Sequence, residues 1–71
     1  MDPLVKITKV EDVTGIDPLT LAPRPFTKTT FTVGDHGPFF ITTPSKDYNA
    51  EYVDRETTAR VATLRAIGAI A

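Results

Sequence analysis

Three patterns of hydrophobic and polar positions divide the chain. From Leu4 to Val10, Val5 and Ile7 alternate with Lys6 and Thr8, the period of a half-buried strand. Pro3, just ahead, suits the start of an edge strand. From Phe26 to Thr43 the chain is rich in threonine and phenylalanine, both at home on pleated surfaces, and it is broken by Gly34-Asp-His-Gly-Pro38. This stretch, 26–43, predicts a β-hairpin. After Asn49 the period changes. Val53, Thr57, Val61 and Leu64, with Ile67 or Gly68 following, fall at helical spacing and predict one helix over 50–67. Asn49 is a good N-cap, Asp47 a second candidate, and Gly68 stands where a left-handed stop belongs. Glu51 with Arg55 and Glu56 with Arg60 are i,i+4 pairs in the favourable order.

The turn chemistry predicts the hairpin register. Asp35 and His36 suit the centre of a type I turn, with Gly37 as the left-handed residue of a bulge, giving a three-residue loop. Gly34 then faces Pro38, Val33 faces Phe39 and Phe31 faces Ile41. All four large apolar side chains share one face, whereas a one-residue slip would split them. Phe40 points the other way, beside Thr30, Thr32 and Thr42, with Phe26 on the same side.

Between strand and hairpin lies 11–25, punctuated by Gly15, Pro18, Pro23 and Pro25. Asp17-Pro18 favours a turn, and Arg24 between prolines is pushed toward extended backbone. The expectation is an irregular, proline-rich arm. It also carries Val13, Ile16, Leu19 and Leu21, which a purely solvated linker would not need. It therefore either lies over its own domain or docks on another subunit.

Composition narrows the chemistry. Seventy-one residues make a single small domain, 1–71, of the size that buries roughly 60% of its unfolded surface. There is no cysteine, so disulfides and thiolate metal sites are excluded, and one histidine, His36, does not make a zinc site. Oligomerisation is then the support most open to so small a chain. Eight basic against nine acidic side chains give a net charge of −1, without the basic stripe of a nucleic-acid module. Arg55, Arg60 and Arg65, spaced by five, spread around the helix instead of tracking a phosphate backbone. No basic-then-apolar leader and no span of ~20 apolar residues is present, so neither secretion by a signal peptide nor a membrane partner is expected.

Asp35-His36 brings an acid and a base together in sequence, but its neighbours are glycine and proline, and a turn chosen for its backbone explains it. Glu11–Asp17 lacks the alternating acids and distal glutamate of a calcium loop, and reads as a solvated turn. No catalytic residue, cofactor or metal is expected. The positions that ask for an explanation are apolar groups off the main core, with one arginine among them: Ile16, Leu19, Leu21, Arg24, Phe26, Phe40 and Ile70. These are the candidate interface.

Phe31-Thr-Val-Gly-Asp-His-Gly-Pro-Phe39, followed by a loop and an Ala/Arg/Glu-rich helix, resembles small structural proteins of tailed phages and prophages over roughly the second half of the chain. The resemblance implies a virion component present in many copies, touching itself or larger virion proteins; otherwise the expected location is the cytoplasm. The combined expectation is an α+β domain: a small antiparallel sheet of the hairpin and the N-terminal strand 4–10, packed on one C-terminal helix, with an extended arm. The function it suggests is a non-enzymatic structural module making intersubunit contacts. The alternative is a small adaptor or inhibitor that binds one cellular partner.

Overall fold

The computed structural model describes residues 2–70. Three antiparallel strands, β1 (Val5–Ile16), β2 (Pro23–Val33) and β3 (His36–Pro44), form one sheet in the order β1-β2-β3. A short 3-10 turn, Ser45–Asp47, leads to the helix α1 (Ala50–Ala66). The α+β class and the central hairpin are as the sequence suggests.

Local chemistry sets both ends of α1. Asn49 is extended (φ −157°, ψ 169°) and its Oδ1 accepts the Tyr52 N–H at 2.8 Å, satisfying one of the helix's free N-terminal donors. At the other end Gly68 takes φ +76°, its N–H donating to the Arg65 carbonyl, while the Ala69 N–H donates to Leu64 at 2.9 Å. These two bonds are the Schellman pattern, and they need a residue without a Cβ penalty in that position. The stop turns the chain back, so that Ala69 and Ile70 pack against the core.

The core is the seam between sheet and helix. Phe31, Val33 and Val5 on the strands meet Val61 and Leu64 on α1, with Ile7, Phe39 and Ile41 packed at the margin. Val53 and Thr57 complete the buried helical stripe. Ile67 does not join it: it caps the helix and is 70% exposed. The guanidinium of Arg60 lies 4.9 Å from the centre of the Phe39 ring, and that of Arg55 lies 5.3 Å from the Tyr52 ring. Among the described residues these cation–π contacts replace the Glu51–Arg55 and Glu56–Arg60 pairs that the spacing predicts.

Two expectations are corrected. The first is register. Val33 pairs with His36 around a two-residue turn, Gly34-Asp35, with Gly34 at φ +57° as in a type II′ turn. Gly37 and Pro38 then both lie opposite Thr32, and this bulge brings Phe31 beside Phe39, not Ile41. The shift is two residues, so Phe31, Val33, Phe39 and Ile41 still share the helix-facing side. The rings of Phe31 and Phe39 lie 5.6 Å apart.

The second correction concerns 11–25. It is not irregular. β1 continues through Glu11–Ile16 and pairs with Pro23–Lys28, so the segment is the outer half of a long β1–β2 hairpin whose tip is 17–22. Glu11–Ile16 is accordingly strand, not the solvated turn the acids suggest. A bulge at Thr8 resets the alternation, after which Glu11, Val13 and Gly15 share the face opposite the helix with Phe26 and Lys28. A Cβ on Gly15 would sit 2.6 Å from the Phe26 ring, so glycine is what lets that ring lie across β1.

One ring-to-tail contact closes the other end of the sheet. His36 Nε2–H donates to the Ala69 carbonyl at 2.9 Å. The histidine thus ties the returning C-terminal chain to the turn.

The helix-facing side also buries threonines. Thr27 reaches Ser45 through its hydroxyl at 3.0 Å, and Thr57 donates to the Val53 carbonyl at 2.8 Å. Thr29 Oγ1 and Thr43 Oγ1 are buried without a partner. An unmet buried hydroxyl costs about 1–3 kcal/mol, and valine has the same shape without it. Thr29→Val and Thr43→Val are therefore each expected to raise stability by roughly 1 kcal/mol in urea unfolding. Unchanged or lower midpoints would show that these hydroxyls are satisfied in solution.

Candidate interaction surface

Four of the seven interface residues lie at the outer end of the hairpin, with Ile16 and Arg24 on its opposite faces. Ile16, Leu19 and Leu21 are 59%, 92% and 76% exposed, and Arg24 stands beside them at the start of β2. The tip that carries them is closed by hydrogen bonds. Asp17 N–H donates to the Ala22 carbonyl at 2.9 Å, and Leu21 N–H donates to the Asp17 carbonyl at 2.8 Å. The Asp17 carboxylate accepts the Leu19 N–H at 2.8 Å and meets Arg24 Nε at 2.6 Å, while Ala22 N–H reaches Thr20 Oγ1 at 3.3 Å. All of these but the Asp17–Arg24 pair engage a backbone N–H, and none involves a leucine side chain.

Leu21 adds a second signal. Its φ is +58°, the left-handed region, without being glycine. A leucine there costs on the order of 1 kcal/mol, which glycine would not. The tip therefore holds an apolar side chain outward at a cost in backbone energy.

Phe26 and Phe40 lie on the open face of the sheet, on the side away from α1. Phe26 is half-buried over Gly15 and shares a hollow of about 350 Å³ with Pro18, Leu19, Arg24, Pro44 and Lys46, so it continues the tip surface. Phe40 is 53% exposed, with Lys28 Nζ 4.4 Å from its ring centre. The arm does not cover it, because the arm runs on in the plane of the sheet. Ile70 is the exception among the seven: the Schellman turn folds it onto the core.

The sequence did not single out a further apolar hollow of about 380 Å³ between β1 and the start of α1, lined by Ile7, Tyr48, Ala50, Val53 and Asp54. Val10, 50% exposed, lies on that same side of the sheet. Val10 falls in the predicted strand, but the bulge at Thr8 moves it to the helix-facing side where no helix covers it.

No protein-family model, no curated protein and no solved structure significantly matches this chain.

The tip has its own pH dependence. The Leu19 amide, followed by the Thr20 amide and the Arg24 guanidinium, holds the Asp17 carboxyl below its ordinary value of 3.8 against partial desolvation. Because the folded value is the lower one, the stabilisation is complete above about pH 4 and is lost as pH falls through the lowered value. The Leu19 amide resonance is expected to titrate below pH 4 with Asp17, and Asp17→Asn to abolish that titration. A Leu19 amide indifferent to pH between about 2 and 5 would contradict the turn geometry.

Proposed function

We propose that this chain is a non-enzymatic structural module, a multi-copy component or accessory of a tailed-phage virion, whose hairpin arm makes intersubunit contacts. The observation that carries the reading is the tip: a hydrogen-bonded turn that presents Leu19 and Leu21 at 92% and 76% exposure, with Leu21 at φ +58°. Fully burying a leucine side chain is worth about 1.5–3 kcal/mol, so two would supply roughly 3–6 kcal/mol to a contact before association costs. A pre-ordered turn lowers those costs, because little loop entropy remains to be lost.

The backbone around the tip supports recognition by side chains. β3 ends at Pro44 opposite Phe26, so the next stretch of β2 has no third strand. Pro23 and Pro25 occupy that stretch, and neither can donate to an added strand. Phe26 and Phe40 on the open face extend the surface toward the body of the domain.

Leu21→Gly separates fold from function. It relieves the left-handed leucine and is expected to raise stability by up to about 1 kcal/mol, less what glycine adds to the unfolded chain's entropy. Combined with Leu19→Ser, it removes the apolar tip. Produced together with the structural proteins of an assembling tailed-phage particle, the native chain is expected to sediment with the particles in many copies. L19S/L21G is expected to fold and stay in the soluble fraction. A native chain missing from the particles would overturn the virion setting, and equal incorporation of the double variant would overturn the role of the tip.

A further inference from the structure

We propose that β1 is a dimerisation edge: two copies pair their β1 strands antiparallel about Val10, joining two three-stranded sheets into one of six strands. This goes beyond the role of the arm's tip and rests on different residues.

Three observations lead there. First, the order β1-β2-β3 gives β1 a strand neighbour on one side only among the described residues, over the twelve residues Val5–Ile16. An edge of that length is a template for another strand unless something blunts it. The rest of the sheet is blunted by proline: Pro38 and Pro44 in β3, and Pro23 and Pro25 where β2 runs past β3. β1 contains no proline. Its bulge at Thr8 and the exposed Lys6 shorten the usable ladder to the stretch around Val10.

Second, the charges around Val10 are self-complementary. Lys9 and Glu11 flank it on the open face and contact each other at 3.4 Å within the chain. A two-fold axis through Val10, perpendicular to the sheet, sets Lys9 of one copy opposite Glu11 of the other, and does so twice. Opposite charges directly across a strand pair stabilise it, and registers centred on Glu11 or Asp12 would set like charges against each other. Because a two-fold contact is isologous, the one favourable pair is always made twice.

Third, the same axis brings the two exposed Val10 side chains together on the helix-facing side, where half of each is open to water. The apolar hollow of Ile7, Tyr48, Ala50 and Val53 lies on that side of the strand. The two-fold axis sets each hollow opposite the 12–14 stretch of the other copy, so it stays outside the contact, and the paired Val10 side chains supply the apolar area of the short ladder.

Sedimentation equilibrium with charge-reversal variants tests this. The native chain is expected to dimerise reversibly. Lys9→Glu and Glu11→Lys are each expected to weaken the dimer by about tenfold or more while keeping the far-ultraviolet spectrum of the native fold. An equimolar mixture of K9E and E11K is expected to recover it, since both cross-strand pairs are again opposite in sign. The contact within each chain stays broken in that mixture, so recovery reports the partner. As a second readout, V10C in this cysteine-free chain is expected to form a covalent dimer on mild oxidation, and V13C to lag well behind. L19S/L21G is expected to dimerise normally, so loss of the tip's function and loss of this edge are distinguishable. A monomeric native chain, a dimer indifferent to both charge reversals, or a mixture no tighter than its components would overturn the proposal.

Discussion

The structure depends on a mismatch of length between one helix and the sheet it covers. Seventeen residues of α1 span about 26 Å, whereas twelve residues of β1 run to about 40 Å. The molecule's long axis, 42 Å against 20 and 19 Å across, is set by the strands. Val61 and Leu64 can therefore seal only the part of the sheet that holds Phe31, Val33 and Val5. What lies beyond must be held by backbone pairing and turn chemistry.

That constraint divides the labour among the residues. At the sealed end, the apolar seam, the Schellman turn and the His36–Ala69 bond give a domain of this size a closed core. At the open end, Asp17 and its hydrogen bonds keep a two-stranded arm in order while Ile16, Leu19 and Leu21 face water. Pairs of strands without a cover are marginal in water, so an arm of this kind is expected to gain most when a partner supplies the missing layer. The tip, the open face and the free β1 edge are three surfaces that follow from the same shortage of helix.

What could be read from the sequence follows how local the chemistry is. The buried stripe Val53, Thr57, Val61 and Leu64, the Asn49 cap and the Gly68 stop were all legible, because each is decided within a turn or two of helix. The face of the central hairpin was legible from its period of two. Its register was not, because the two-residue turn and the one-residue bulge of Gly37 and Pro38 together shift the pairing by two from the expected one and leave every side chain on the same face. The outer strands were hidden by Gly15 and the prolines, which lower strand propensity, and by the lack of hydropathy alternation in Glu11–Ile16, where Val13 and Ile16 fall on opposite faces. Leu19 and Leu21 stood out as apolar residues with no core to join, and they remain so in the fold. Ile70 looked similar and is not, because a single left-handed glycine returns it to the core.

Amide hydrogen exchange, read at concentrations where the domain is monomeric, distinguishes an ordered 11–25 hairpin with an apolar tip from a solvated arm. The Asp17 and Leu21 amides, each bonded across the tip, the β2-facing amides of Glu11, Val13 and Gly15, and those of Thr27–Thr29 are expected to exchange well below the unstructured rate. Exchange at the unstructured rate throughout 11–25, with protection confined to the sheet beneath α1, would contradict the account.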